Sequence, residues 1–311
     1  MVATSAETPE FTELRVRHRG QLADATIRVL RSPVGAASAA VIVILVVAAL
    51  LAPVAAPTSP QAISSDVLIS PSFDSLSPAD IGNGFGLNLM GPDHLGRDVL
   101  SRMMHGARAS LYVGFLVVVF GTLAGTVVGL VSGRSGGWID LTIQRFVDAL
   151  LAFPAILLVM AIVSVLQPST TNAVLSIAVV VAAGNSRVIR GAVISVKQNV
   201  YIEAATATGA SHLRIMLQHI LPNVAAPILI LISAGFGAAI LIEGALSFLG
   251  LATQPPDTSW GVILRDGRDR IETAPWPALF AGGAIAMTVL SFNMLGDVVR
   301  DVLDPRLRGT R

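Results

Sequence analysis

The chain has 311 residues, of which 53% are hydrophobic and only 13% charged, with a mean hydropathy of +0.72. Soluble domains average about 25% charged residues, so this composition belongs to the membrane class. A net charge of +1 with dispersed arginines excludes a nucleic-acid stripe, and the absence of cysteine excludes disulfides, thiolate metal sites and a cysteine nucleophile.

Residues 1–32 are polar, with Glu7, Glu10 and Glu13 before a basic run, and read as a cytoplasmic tail. The first crossing is expected at 33–56, around VIVILVVAALLAPVAA, because about 20 apolar residues cross the ~30 Å hydrocarbon core. APVAAP after a basic run also fits a cleavable signal peptide, but the long polar lead and full-length apolar run favour an uncleaved anchor. Residues 57–108 read as an external loop with an amphipathic lead-in. Pro57 to about Gly96 is rich in Pro, Ser and Asp, and a loop that long is functional or disordered more often than a plain connector. In GPDHLGRDVLSRMMHGARASL, Leu95, Val99, Leu100, Met103 and Met104 fall at helical spacing, with Arg97, Asp98, Arg102 and His105 between them.

The second span is predicted over Ala109–Gly133. The uncharged stretch 149–186 is too long for one crossing, and QPSTTN at 167–172 divides it into spans at 149–166 and 172–194. The fifth span is expected at 224–249 and the sixth at 278–295. Between them, Pro255-Pro256 bars the fifth helix from continuing, while Trp260 and Trp276 suit a membrane interface. Small residues in GTLAGTVVG and SAGFGAAI let helix backbones approach closely. The expected fold is an all-α integral membrane bundle of six transmembrane helices, since no strand alternation points to a barrel. With the N-terminus inside, fifteen Lys and Arg residues fall in cytoplasmic segments and six outside, which places both termini and residues 199–223 in the cytoplasm.

None of the five histidines has a metal-ligand spacing, no Ser-His-Asp set can be argued, and no GxxxxGK[ST] loop is present. Neither catalysis nor nucleotide binding is expected of this chain. Glu243 lies inside the fifth span, where an ionisable side chain costs ~2.5 kcal/mol or more and so faces the bundle interior. It is a candidate either for a polar lining of a substrate path or for a structural glutamate near the outer end. Asn293 in the sixth span carries the same two readings, and Asp297 and Arg300 are spaced i, i+3 to pair.

One polar island interrupts the apolar pattern: YIEAATATGASHLRIMLQHILPN, Tyr201 to Asn223. Glu203 to Thr208 make a short, small-sided helix, Gly209 can take the positive φ that ends it, and Ser211 can cap the next helix. HLRIMLQHI is amphipathic, and Pro222 is expected to break it just before the fifth span.

Glu203-Ala204-Ala205, then Gly209 after a gap of three residues, then Ile220-Leu221-Pro222 after a gap of ten, resemble the EAA loop of the permease subunits of binding-protein-dependent ABC importers. HLGRDVLSRMMHGARASL, EGALSFLGLATQPPDTSWG and LDPRLRG are similar to the C-type permease of the dipeptide, oligopeptide and nickel group. The similarity spans about residues 20–311, the N-terminal tail being least matched. The resemblance implies a type I importer permease domain at 109–311, with a coupling helix in 199–223 that docks in a groove of a cytoplasmic ATPase. Ala204 and Ala205 would then allow close docking, Gly209 would set the turn, and Glu203 would pair with a basic group or cap its own helix. His212 and Leu213 would belong to the docking face, and Ile220-Leu221-Pro222 would join it to the fifth span.

The implied partners are a homologous B-type permease forming a heterodimer, two ABC ATPase subunits, an extracytoplasmic substrate-binding protein and membrane lipid, with no nucleic acid. ATP and Mg would sit on the ATPases, and this chain would bind no cofactor. The cargo would be dipeptides or oligopeptides, crossing the cytoplasmic membrane by alternating access; nickel, glutathione or another small ligand is the alternative. A secondary transporter would need several intramembrane carboxylates or two matching broken halves, for which Glu243 alone is thin support.

Overall fold

The computed structural model describes residues 29–64, 67–71 and 89–303. The expectations for residues 1–28, for 72–88 of the long loop and for the Asp304-Pro305-Arg306 terminus lie outside the described residues. Among the described residues the chain is helical, without a named strand.

Helix α1 (Pro33–Ala55) starts where Ser32 Oγ accepts the Gly35 N–H at 2.9 Å and proline fills the first helical position. Helix α2 (Val99–Ser135) starts at Asp98, whose carboxylate accepts the N–H groups of Leu100 and Ser101 at 3.3 and 2.8 Å. With 37 residues at ~1.5 Å each, α2 is a rod of roughly 55 Å. It runs straight through the expected boundary at 108/109, so lead-in and span are one helix. Its first residue marks what we call the proximal end of the bundle, and its last the distal end.

The third expected span, 149–166, is corrected. The chain instead forms α3 (Gly137–Leu151) and α4 (Ala155–Leu166), bent by 92° at a break that contains Pro154. Proline lacks the N–H that a continuous helix would use, which separates the two axes. The break at QPSTTN falls as expected: Gln167 has φ +76°, and Ser169 caps α5 (Thr170–Lys197) through the Asn172 N–H at 3.1 Å. Next come α6 (Val200–Ala207) and α7. The latter is a composite of His212–Arg214, a π-helical Ile215–Ile220 and a last turn, Leu221–Asn223. Helices α8 (Ala225–Phe248), α9 (Trp260–Arg268) and α10 (Trp276–Leu303) complete the described chain. Helices α1, α2, α5, α8 and α10 are long and apolar enough to cross a membrane, and the bent α3–α4 pair brings the number to six if it is counted as one broken span.

The α2–α5 contact is the most extensive in the bundle. A Cβ added at Gly121, Gly125, Gly129 or Gly133 would come within 2.8 Å of Val181, Asn185, the Ser186 carbonyl or Val193. This four-residue repeat of glycine brings the two backbones together, and the Asn185 side chain donates to Thr122 Oγ1 at 3.1 Å inside the contact.

Two further expectations change. Helix α8 stops at Phe248 with Gly250 at φ +76°, so glycine geometry ends it before the prolines are reached. Trp260 is 1% exposed, and its ring N–H donates to the Met103 carbonyl at 3.1 Å, making it a core residue rather than an interface anchor. The cause is α9, which Ser259 caps and which turns Trp260, Val262 and Ile263 onto the bundle. Trp276 is part-buried and donates to the Pro92 carbonyl at 3.4 Å.

Candidate functional site

At the distal end, α5 passes through Gln198 and Asn199 into α6. Helix α6 closes in a glycine turn: the Gly209 N–H reaches the Thr206 carbonyl at 3.0 Å, the Ala210 N–H reaches Ala205 at 3.1 Å, and Gly209 has φ +83°. That pair of bonds is the Schellman pattern, accompanied by part-buried Ala205 and Ala210 on one hydrophobic cluster. Ser211 Oγ then accepts the Arg214 N–H at 3.3 Å and starts α7.

The underside of this island is apolar. Ile202, Ile215, Ile220 and Val224 are buried against Leu130 of α2 and Ile189 and Val193 of α5. The opposite face is exposed: Val200, Tyr201, Glu203, Ala204, Leu213 and Leu217 all point to solvent, Leu213 at 60%. Gly209, His212 and Pro222 are likewise exposed, while Leu221 is part-buried. Arg134, in the last turn of α2, meets His212 Nδ1 at 2.8 Å, and Lys197 Nζ donates to the Arg134 carbonyl at 3.1 Å. The island is therefore tied to α2, which carries the glycine ladder, and to α5, which packs on it.

Two local expectations are corrected here. Asn199, not Glu203, occupies the α6 cap position, and no side chain caps that helix; Glu203 sits in its first turn with an exposed carboxylate. Pro222 does not break α7 at its own position: the π-helical stretch ends at Ile220, the proline sits in the first turn of the following α segment Leu221–Asn223, where its missing N–H is tolerated, and helical geometry ends at Val224.

The proximal end is built from buried charge. Asp93 accepts the N–H groups of Leu95 and Arg97 at 2.8 and 3.0 Å, Arg97 Nε at 2.7 Å and Arg102 Nη1 at 2.5 Å. Asp266 of α9 accepts Arg97 Nη2 at 3.0 Å and Arg102 Nη2 at 2.9 Å. Burial pushes the Asp93 carboxyl up, but the Arg102 charge, the Arg97 N–H and charge, and the Leu95 N–H together hold it below its ordinary value of 3.8. Asp266 and the burial of Arg102 were not legible in sequence; the only signal was a cation placed among apolar helical positions. Among the described residues Asp297 and Arg300 are exposed and form no ion pair.

Glu243 is fully buried between α2, α8 and α9. Ser247 Oγ donates to its Oε1 at 2.6 Å and the hydroxyls of Ser110, Ser259 and Thr253 lie around the same carboxyl, while Glu243 Oε2 and Thr253 Oγ1 are buried without a hydrogen-bond partner among the described residues. Ser247 also accepts the Thr253 N–H at 3.3 Å, Ser110 the Trp260 N–H at 3.4 Å, and Ser259 the Val262 N–H at 3.4 Å. Each of these three serines thus has its proton left to direct at Glu243. Asn293 lies elsewhere, in the wall of an open apolar groove of about 750 Å³ between α8 and α10, lined also by Leu241, Phe248, Ile285 and Leu290.

A helical bundle with five or six spans, a docked polar loop and no metal-ligating cluster among the described residues has the form of a transport permease. The comparisons agree: residues 125–309 match the family described as binding-protein-dependent transport system inner membrane component, and the chain belongs to that family. Residues 20–78 match the N-terminal transmembrane domain of oligopeptide transport permease C, which makes the chain a C-type permease of an ABC importer and not a catalytic enzyme. A dipeptide transport system permease protein of Alkalihalophilus pseudofirmus is 45% identical over 248 residues, 79% of this chain and 82% of that one. A di/tripeptide transport system permease protein of Pseudomonas aeruginosa is 40% identical over 84% of each chain. A glutathione transport system permease protein of Pectobacterium atrosepticum is 42% identical over 70% of this chain and 73% of its own length.

Proposed function

We propose that this permease carries dipeptides or oligopeptides inward across the cytoplasmic membrane, with both termini in the cytoplasm. It works as one half of a heterodimer with a B-type permease. Two ATPase subunits hydrolyse ATP with Mg, and an extracytoplasmic binding protein delivers the cargo. Residues 33–56 anchor the chain, 109–311 form the transport domain, and the distal island at 199–223 is the coupling element.

The observation that carries this reading is the two-faced island. Its underside is fused to α2 and α5 through Ile202, Ile215 and Ile220, while Glu203, Ala204, His212 and Leu213 face outward. A rigid part with a free outer face can receive a push and pass it to two membrane helices. Glu203 gives the face a carboxylate for a basic group, Ala204 keeps it low enough for close docking while part-buried Ala205 packs beneath it, and Gly209 turns the corner. Ile220, Leu221 and Pro222 carry the displacement into α8. Asn293 lines the path beside the α8–α10 groove, and Glu243 holds the proximal loop in place instead of touching cargo.

The test is uptake of a labelled dipeptide by the reconstituted importer. Gly209→Val forces a β-branched residue to φ +83°, a strain of ~1–3 kcal/mol concentrated at the corner. Together with Glu203→Lys, it is expected to lower uptake and ATPase co-purification at least tenfold with membrane insertion intact. Normal transport by both variants overturns the coupling role. Glutathione is the second reading, favoured by the 42% identical relative named for it, and competition of unlabelled glutathione against the dipeptide separates the two.

A further inference from the structure

Helix α3 is attached to the bundle unlike any other long helix in the chain. Val147 is its only buried residue. Its polar side faces the protein. Asp140 accepts Arg190 Nε at 2.7 Å and Nη2 at 2.6 Å from α5, together with the Ser132 hydroxyl. Gln144 donates to the same Ser132 at 2.8 Å, and Asp148 pairs with Arg187. The apolar side faces outward, with Trp138 82% and Phe146 72% exposed, beside Ile139 and Leu141. What holds α3 down is thus Val147, the part-buried Asp140–Arg190 pair with its serine bridge, and the half-exposed Asp148–Arg187 pair. A hydrated pair like the last is weak and exchanges readily for water.

Both ends of α3 are jointed. Before it, Gly136 and Gly137 have φ +66° and +55°, and a Cβ at either would find no atom within 4 Å. Two consecutive glycines in open space can redirect the chain without a clash. After it, the backbone turns 92° through the Ala152–Pro154 break. The helix that α3 grips is α5, and Arg190 lies about two turns before α5 ends at Lys197 and leads into α6. Displacement of the island therefore slides the arginine side of the contact, while α3 remains free to pivot about its joints.

From these features we infer that α3 is a hinged strap, which releases α5 and re-engages it in every transport cycle. The inference rests on the transport reading above, but its test separates the two. The chain has no cysteine, so an introduced pair is the only thiol site in it. Asp140→Cys/Arg190→Cys is reconstituted with its partner subunits. The strap is then locked with a reducible bis-methanethiosulfonate that spans the length of the two lost side chains.

The readouts are ATP hydrolysis by the complex and uptake of radiolabelled alanyl-alanine, before locking, after locking and after reduction. A strap that must open predicts at least a tenfold loss on locking, recovered on reduction. Locked complex that keeps more than half its activity, with the cross-link confirmed by mass, overturns the strap and leaves the transport reading standing. Wild-type complex that neither hydrolyses ATP nor imports fails the transport reading instead. If removal of the buried side of the Asp140 pair prevents assembly, the exposed pair Asp148→Cys/Arg187→Cys is locked in its place and judged by the same outcomes.

Discussion

The two ends of α2 meet very different surroundings. At the proximal end, Arg102 is 2% exposed and shared by two carboxylates, Trp260 is sealed beneath α9, and four hydroxyls converge on Glu243. At the distal end, Arg134 meets an exposed His212, the Asp148–Arg187 pair of α3 is half-exposed, and among the described residues the outer faces of α6 and α7 are exposed. Charge is used at both ends, but buried charge fastens and exposed charge releases. A buried ion loses its hydration and must keep every partner, whereas a hydrated pair can separate at little cost. The glycine ladder between them makes α2 and α5 a stiff rod pair, so movement imposed at the loose end has a fixed frame to act against.

The largest expected effect tests the fastened end. Arg102→Met takes from Asp93 and Asp266 the fully buried one of the two cations they share, leaving only the more exposed Arg97, and removal of one partner from a buried ion network costs about 3–5 kcal/mol. The melting temperature of the purified chain should fall sharply, and a value equal to wild type would break the contrast between the ends. A smaller effect concerns acid. The Asp93 carboxyl is held below 3.8 in the folded chain, so its contribution is complete above that value and is lost as the pH falls through the lowered one. Melting temperature plotted against pH should therefore drop steeply below about 3.8 in wild type, and this drop should be shallower in Asp93→Asn.

The smallest effect on stability belongs to the loose end. Leu213→Ser with Leu217→Ser removes exposed side chains only, so the melting temperature should hold, within about 0.5 kcal/mol for each surface change. ATP hydrolysis by the assembled importer should nevertheless fall several-fold. Loss of stability without loss of hydrolysis would assign these leucines to the fold and remove them from the docking face.

Much of the distal end could be read from the sequence. The helix, its glycine corner and the Ser211 cap depend on contacts three to five residues apart, and the spacing from Glu203 to Pro222 carries them in order. The departures are equally instructive. Pro222 was expected to end a helix, yet a π-helical stretch ending at Ile220 hands the backbone to a new α turn in which the proline takes an early position, and local preference does not encode that change of register. Residues 149–166 are apolar enough for one span, but Pro154 divides them and assigns Asp148 to an ion pair with α5. Trp260 carries the same side chain whether it anchors at an interface or fills a core, and only the docking of α9 chose between them.

The sequence by itself determined the membrane class, five of the apolar helices long enough to cross, and the corner at Gly209, because hydrophobic periodicity and capping are local. Tertiary structure alone decided that Arg102 would meet Asp266 across 164 residues, that four hydroxyls would surround Glu243, and that α3 would turn its polar side inward. Those choices depend on which helices lie side by side, and that follows from how the whole bundle packs, which no single stretch of residues specifies.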